Sequence, residues 1–138
     1  MNEYSEYEGK TILVTGGAGC IGGSLCRRLS ELQAKKIIIL DNLSSAYEWN
    51  IPHAANIKFI KGDILDDGIL YGVFTEEPEY VFHLAAHFAN QNSVDHPERD
   101  LMVNGLGILM VLRQAQQSKV KRFVYSSSGC GVYGLDST

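Results

Sequence analysis

The sequence predicts an α/β fold built on a doubly wound parallel sheet, and three observations carry that prediction. A short apolar strand at residues 12–14 runs into Gly16, Gly19 and Gly22, and a helical pattern starts at once behind the last glycine. Short apolar runs suited to buried parallel strands then recur, alternating with helical stretches. An aspartate, Asp41, closes the second of these runs, about 20 residues beyond the glycines, where a carboxylate can meet a ribose.

The first element is the strand at 12–14 with its G-x-x-G-x-x-G turn. A turn this tight needs a residue free to take positive φ, and a pyrophosphate cannot reach the backbone past a Cβ. The helix behind it presents unpaired N–H groups to an anion. Ile21, Leu25, Leu29 and Leu32 recur at helical intervals and predict its buried stripe. Residues 36–41 (Lys-Ile-Ile-Ile-Leu-Asp) read as a second strand buried on both faces. Residues 42–55 lack periodicity and read as a long connection near the ligand, with room for one helical turn. Residues 57–63 form a third strand whose alternation leaves one face partly exposed, and 66–76 a helix with Asp66 as N-cap and Pro78 just past its end. A fourth strand spans 79–85, a long helix runs from Pro97 to about residue 117, and a fifth strand spans 122–126. Such alternation implies right-handed crossovers. The expected fold is Rossmann-type, with strand order 3-2-1-4-5. Residues 1–9 read as a tail and 10–138 as one dinucleotide-binding domain.

Composition narrows the partners. The net charge is −4 and no basic run occurs, so nucleic acid is not an expected partner. No apolar stretch approaches the ~18 residues of a membrane span. The N-terminus lacks the basic-then-apolar form of a signal peptide. Cys20, Cys26 and Cys130 are odd in number and in no metal-ligand spacing, which suits reduced thiols and a cytoplasmic setting. His83 and His87 are four apart at a strand end rather than on a helix face, and His53 and His96 lie in loops, so no metal site is expected.

Two strand-end carboxylates carry most of the binding chemistry. Asp41 can accept both hydroxyls of an adenosine ribose and would repel a 2′-phosphate. Asn42, Leu43, Ser44 and Ser45 follow it without a cation, which favours NAD over NADP. Asp63, at the end of the third strand, offers acceptors to the exocyclic amine of adenine, and the next N–H can meet a ring nitrogen.

Taken together, residues 15–22 (Thr-Gly-Gly-Ala-Gly-Cys-Ile-Gly), 41–43 (Asp-Asn-Leu), 62–64 (Gly-Asp-Ile), 83–86 (His-Leu-Ala-Ala), 104–107 (Asn-Gly-Leu-Gly), 126–128 (Ser-Ser-Ser) and 132–134 (Val-Tyr-Gly) resemble the extended short-chain dehydrogenase/reductases. The likeness is greatest to the NAD-dependent nucleotide-sugar epimerases and dehydratases, a group that includes UDP-glucose 4-epimerase. It implies tightly held NAD that removes a hydride from a sugar carbon and returns it, with a nucleotide-sugar as substrate. It also implies residue roles. Gly16, Gly19, Cys20, Ile21 and Gly22 would line the pyrophosphate. Asp41 and Asn42 would hold the ribose, with Ser44 and Ser45 close by, and Asp63 and Ile64 would frame the adenine. Leu84, Ala85, Ala86 and His87 would form a wall after the fourth strand, and Asn104 would sit near the nicotinamide. Ser128 would hydrogen-bond the sugar hydroxyl being oxidised. Gly129, Cys130 and Gly131 make a longer spacer before Val132 than many epimerases carry, so Ser127 is the alternative.

The proton-transfer pair of that group, Tyr-x-x-x-Lys, is absent, because none of the seven tyrosines is followed by lysine four positions on. The resemblance therefore implies the cofactor-binding portion of an epimerase, incomplete at its C-terminal end with the later strands missing, and inactive alone. The alternatives are a stand-alone NAD-binding module and a dehydratase. Dehydratases commonly carry Thr-Asp-Glu where this chain has Ser127, Ser128 and Gly129, which favours the epimerase. The helix after Pro97 is apolar almost all round, and a helix like that needs burial on more than one side. A homodimer through it is the expected assembly.

Overall fold

The structure, a computed structural model, describes residues 5–88 and 90–127. Five parallel strands form one sheet in the order β3-β2-β1-β4-β5, as the sequence predicts. They are β1 (Thr11–Thr15), β2 (Lys36–Asp41), β3 (Ile57–Lys61), β4 (Tyr80–His83) and β5 (Arg122–Tyr125). The chain winds outward from β1 in one direction and then crosses to the other side at β4. The C-terminal ends of β1 and β4 therefore part at the switch point where ligands of open α/β sheets bind. In register, Thr15 lies beside Leu40 on one side and His83 on the other.

Alternating strand side chains feed two cores. On one face Leu13, Ile38, Leu40 and Val81 pack with Leu70 and Phe74 of α2 (Asp67–Phe74) and with Val111 and Ala115 of the last helix. On the other, Ile12, Val14, Ile37 and Ile39 meet Cys26 and Leu29 of α1 (Cys20–Glu31). Burial pushes the Cys26 thiol up to about 12, so it is inert. Tyr7, in a 3₁₀ turn at Ser5–Tyr7, lays its ring edge on Tyr80 at 5.2 Å.

Several local expectations change. The buried face of α1 is Gly22, Gly23, Cys26 and Leu29, whereas Ile21 is 72% exposed. The cause is the glycine turn. A Cβ on Gly22 would lie 2.3 Å from the Gly16 carbonyl oxygen, so the glycine side of the helix must face inward and Ile21 turns out. The third and fourth strands end at Lys61 and His83, earlier than expected, although Gly62 and Leu84 still donate to Asp41 and Thr15 across the sheet. Asp66 caps α2 as predicted, accepting from the N–H groups of Gly68 and Ile69. That helix stops at Phe74 rather than residue 76, and Glu77 sits at φ +54°. A short helix the sequence does not predict, α3 (Asn90–Asp95), precedes the long one. The long helix starts at Pro97 as expected but is not uniform. It runs as α4 (Pro97–Asp100), a π-helical segment (Leu101–Gly107) and α5 (Ile108–Gln117). The long connection after β2 holds a single 3₁₀ turn, Glu48–Asn50.

Candidate functional site

The turn after β1 is shaped by what glycine lacks. Gly16 takes φ +72°, and a Cβ there would stand 2.7 Å from the Ala85 nitrogen. Gly19 is different, because its missing Cβ would meet only the Gly16 carbonyl, at 3.3 Å. The space in front of Gly19 is therefore free of other protein atoms within contact range. Gly19 is also the N-cap of α1 and offers no side-chain cap, so the N–H groups of the first turn have no capping acceptor of their own. A shallow cradle facing unclaimed donors at a helix N-terminus suits a pyrophosphate. Cys20 and Ile21, both exposed, flank it.

Asp41 is locked beside that turn. One carboxylate oxygen accepts the Ala18 N–H at 3.0 Å, and the other accepts the Leu43 N–H at 2.8 Å. These bonds fix the carboxylate plane, and each oxygen keeps a lone pair for a ribose hydroxyl. Leu43 sits at φ +61°, and Ser44 donates its N–H to the Asn42 side chain at 2.9 Å. Ser44 and Ser45 are exposed. Asn42 in turn donates to Asp63 at 2.8 Å, while the other Asp63 oxygen accepts the Leu65 N–H at 3.0 Å. The ends of β2 and β3 are thus one continuous polar rim. The Ile64 side chain is buried, and a Cβ on Gly107 would lie 2.6 Å from its Cδ1, so Gly107 lets the long helix close against it.

The segment after β4 forms the opposite wall. Leu84 and Ala85 are half-buried and Ala86 is exposed. Thr15 ties this wall to β1, since its hydroxyl bonds His83 Nδ1 at 2.8 Å and accepts the Ala85 N–H at 3.3 Å. The His83 ring is 2% exposed, and burial lowers its pKa to about 4, so it is neutral at pH 7. Asn104, expected near the nicotinamide, spends its amide on the wall. Its oxygen accepts the His87 N–H at 2.8 Å and its nitrogen donates to the His87 carbonyl at 3.0 Å. The same nitrogen donates to Asp100 at 2.7 Å. Among the described residues, His87 Nε2 is the buried side-chain polar atom left without a hydrogen-bond partner.

Gly16, Gly19, Gly22, Asp41 and the wall at 84–86 therefore meet at the switch point, and Asn42 and Asp63 continue its rim. Ser127 is exposed just beyond β5, and Ser128 lies outside the described residues. No group of three potential metal ligands occurs among the described residues, nor any helix long and apolar enough to cross a membrane. Sequence reasoning missed Thr15 and Asp100. Thr15 directly precedes the glycine turn, and Asp100 precedes Asn104 by one helical interval, so both carried a positional signal.

Comparison with known proteins gives this geometry its context. A family model described as the NAD dependent epimerase/dehydratase family matches residues 12–138. A solved epimerase from Methanothermobacter thermautotrophicus is 68% identical with a TM-score of 0.96, covering all of this chain and 41% of its own. A UDP-glucose 4-epimerase from Thermotoga maritima, solved with UDP-glucose, is 39% identical with a TM-score of 0.85. That alignment covers 93% of this chain and 41% of the Thermotoga protein. The UDP-glucose 4-epimerase of Mycolicibacterium smegmatis is 40% identical over 126 residues, which are 88% of this chain and 40% of the relative. The chain thus spans about two fifths of the length of these relatives. Because the family match begins within β1 and runs to the last residue, the chain belongs to the NAD dependent epimerase/dehydratase family.

Proposed function

We infer that this chain is the NAD-binding portion of a nucleotide-sugar epimerase. The observation that carries the reading is Asp41, held rigid by the Ala18 and Leu43 N–H groups beside an open glycine cradle. A fixed carboxylate next to a pyrophosphate site selects a free ribose 2′-hydroxyl and rejects a 2′-phosphate. The relatives add support, since a UDP-glucose 4-epimerase from Thermus thermophilus is solved with NAD and is 34% identical.

The residues fit the cofactor. The first turn of α1 from Gly19 to Gly22 would take the pyrophosphate, Asp41 and Asn42 the ribose, and Asp63 and Ile64 the adenine edge. Ser44 and Ser45 stay at the ribose rim. Leu84 to His87 would close the site from the side of β4, held there by Asn104. Bound NAD supplies hydride removal from a sugar carbon and its return. The chain's own contribution is to bind, orient and shield. A serine at 127 or 128 would hold the sugar hydroxyl. No tyrosine here has the lysine partner that lowers a phenol's pKa, so turnover by these residues alone is not expected. A nucleotide-sugar substrate and a cytoplasmic setting belong to the same reading.

So does a homodimer through the long helix. Met110, Val111 and Ala115 are buried against the sheet, while Leu101 and Leu109 are 71% and 59% exposed, with Met102, Leu106 and Leu112 beside them. A second copy would cover this apolar side.

Calorimetric titration with NAD and NADP tests the reading. NAD should bind and NADP bind more weakly. Asp41→Ala should weaken NAD by ~1–3 kcal/mol, the scale for hydrogen bonds to a charged group. Equal affinities, or tighter NADP, would overturn it.

A further inference from the structure

Asn104 can brace the wall after β4 only in one orientation of its amide. The His87 backbone presents a donor and an acceptor, and the Asn104 side chain meets both, oxygen to N–H and nitrogen to carbonyl. Rotating the amide by half a turn would set oxygen against oxygen and N–H against N–H. The His87 contact thus already disfavours the rotated amide, and Asp100 adds a second restraint. Its Oδ1 accepts the second Nδ2 hydrogen of Asn104 at 2.7 Å, and an ionised carboxylate is only an acceptor. It can tolerate the nitrogen of the amide and not the oxygen. The same Oδ1 accepts the Ser93 hydroxyl of α3 at 2.9 Å, which anchors the carboxylate from a second element.

The helix geometry matters too. Asp100 ends α4, and Asn104 lies inside the π-helical segment that follows. The two side chains bond within one helical turn while Asn104 still reaches His87, 17 residues earlier in the chain. Both hydrogens of the Asn104 amide are used, one on His87 and one on Asp100.

We propose that Asp100 is a positioning residue for the cofactor wall, fixing the Asn104 amide so that residues 84–87 are held against the glycine turn. The proposal rests on the NAD-binding reading. It predicts that Asp100 affects NAD affinity although it lies behind the wall. Its loss leaves the Asn104 amide held by His87 alone, so the clamp opens more often and the wall loosens.

The test compares the wild-type chain with Asp100→Ala and Asp100→Asn. NAD affinity is measured by calorimetry, His87 amide protection by hydrogen exchange in NMR, and folding by thermal melts. Asp100→Ala should weaken NAD binding about tenfold, the scale of one charge-assisted hydrogen bond, and lose His87 protection. Asp100→Asn should restore most of both, because its carbonyl oxygen can take the place of Oδ1 and accept from both Asn104 and Ser93, leaving its own amide in the place of Oδ2. A structural role alone would lower the melting temperature without this rescue. Wild-type NAD affinity and His87 protection in Asp100→Ala would overturn the proposal, as would an Asp100→Asn no better than Asp100→Ala. A wild-type chain that fails to bind NAD overturns the proposed function instead.

Discussion

The turn after β1 and the turn after β4 touch one another at the top of the sheet, yet they are shaped by opposite means. The first is made by absent side chains. Gly16 occupies a left-handed conformation and leaves room for the Ala85 backbone, and Gly22 lets α1 start against the turn. The second is made by a side chain that is present, with Asn104 taking both backbone groups of His87. The first is held by close backbone approach and backbone N–H bonds, whereas the second depends on one side chain reaching across the fold. A turn of the first kind fails when anything is added, and a turn of the second kind fails when something is removed.

That contrast can be broken most severely at Gly16. Gly16→Ala adds a Cβ at positive φ and 2.7 Å from the Ala85 nitrogen. Left-handed strain and overpacking together cost roughly 2–5 kcal/mol. Urea denaturation should show that loss, with NAD binding abolished. A variant that melts and binds like the wild type would mean the two turns separate freely.

The seam between the turns responds to pH. His83 is buried beneath it, bonded to Thr15, and its pKa is lowered to about 4 by burial. The unfolded chain, with an ordinary histidine pKa, takes up the proton first as pH falls. Stability from this group is fully present above about pH 6.5 and is lost progressively toward pH 4, by roughly 2–3 kcal/mol at pH 4.5. Urea midpoints at pH 7, 5.5 and 4.5 should fall in step, and His83→Gln should flatten the profile. Glu76 does not confuse the window. Hydrogen bonds from Lys36 and Lys58 hold its carboxyl down at about 2, so its contribution is lost only as pH falls below the ordinary carboxylate range. A wild-type profile flat from pH 7 to 4.5 would show that the seam opens to solvent.

The smallest expected effect is at the clamp itself. Asn104→Ala leaves the His87 N–H and carbonyl without their partners, at a cost of roughly 1–3 kcal/mol. The loss should be local, with His87 and its neighbours exchanging faster while β1 stays protected. Equal acceleration in both turns would make the clamp global and weaken the contrast.

The same contrast explains what the sequence disclosed. Strand order and the first turn were legible because apolar runs and glycine spacing are local patterns, and Asp66 and Pro97 mark helix starts by local chemistry. Ile21 misled because periodicity counts apolar residues and not the glycines that must face inward. The helix Asn90–Asp95 has no apolar repeat to reveal it. The π-helical segment uses the same residue types as its flanks, so only the structure distinguishes it. Of the candidate site, Asp41 and the glycines could be placed from position alone. The His87 target of Asn104 could not, because the crossover brings it there, and Ser128 lies outside the described residues.

The position of β1 has a consequence for synthesis on the ribosome. Of the five described strands, the central one is made first. Its partner β2 follows soon, but His83, which closes its other edge beside Thr15, is encoded 68 residues later. At about 5–20 residues per second, that edge waits roughly 3–14 s for its neighbour. During that interval Leu13 and Val14, fully buried in the finished sheet, lack the Val81 and Phe82 that later lie beside them. A strand buried in the mature fold is therefore open along one edge in the nascent one.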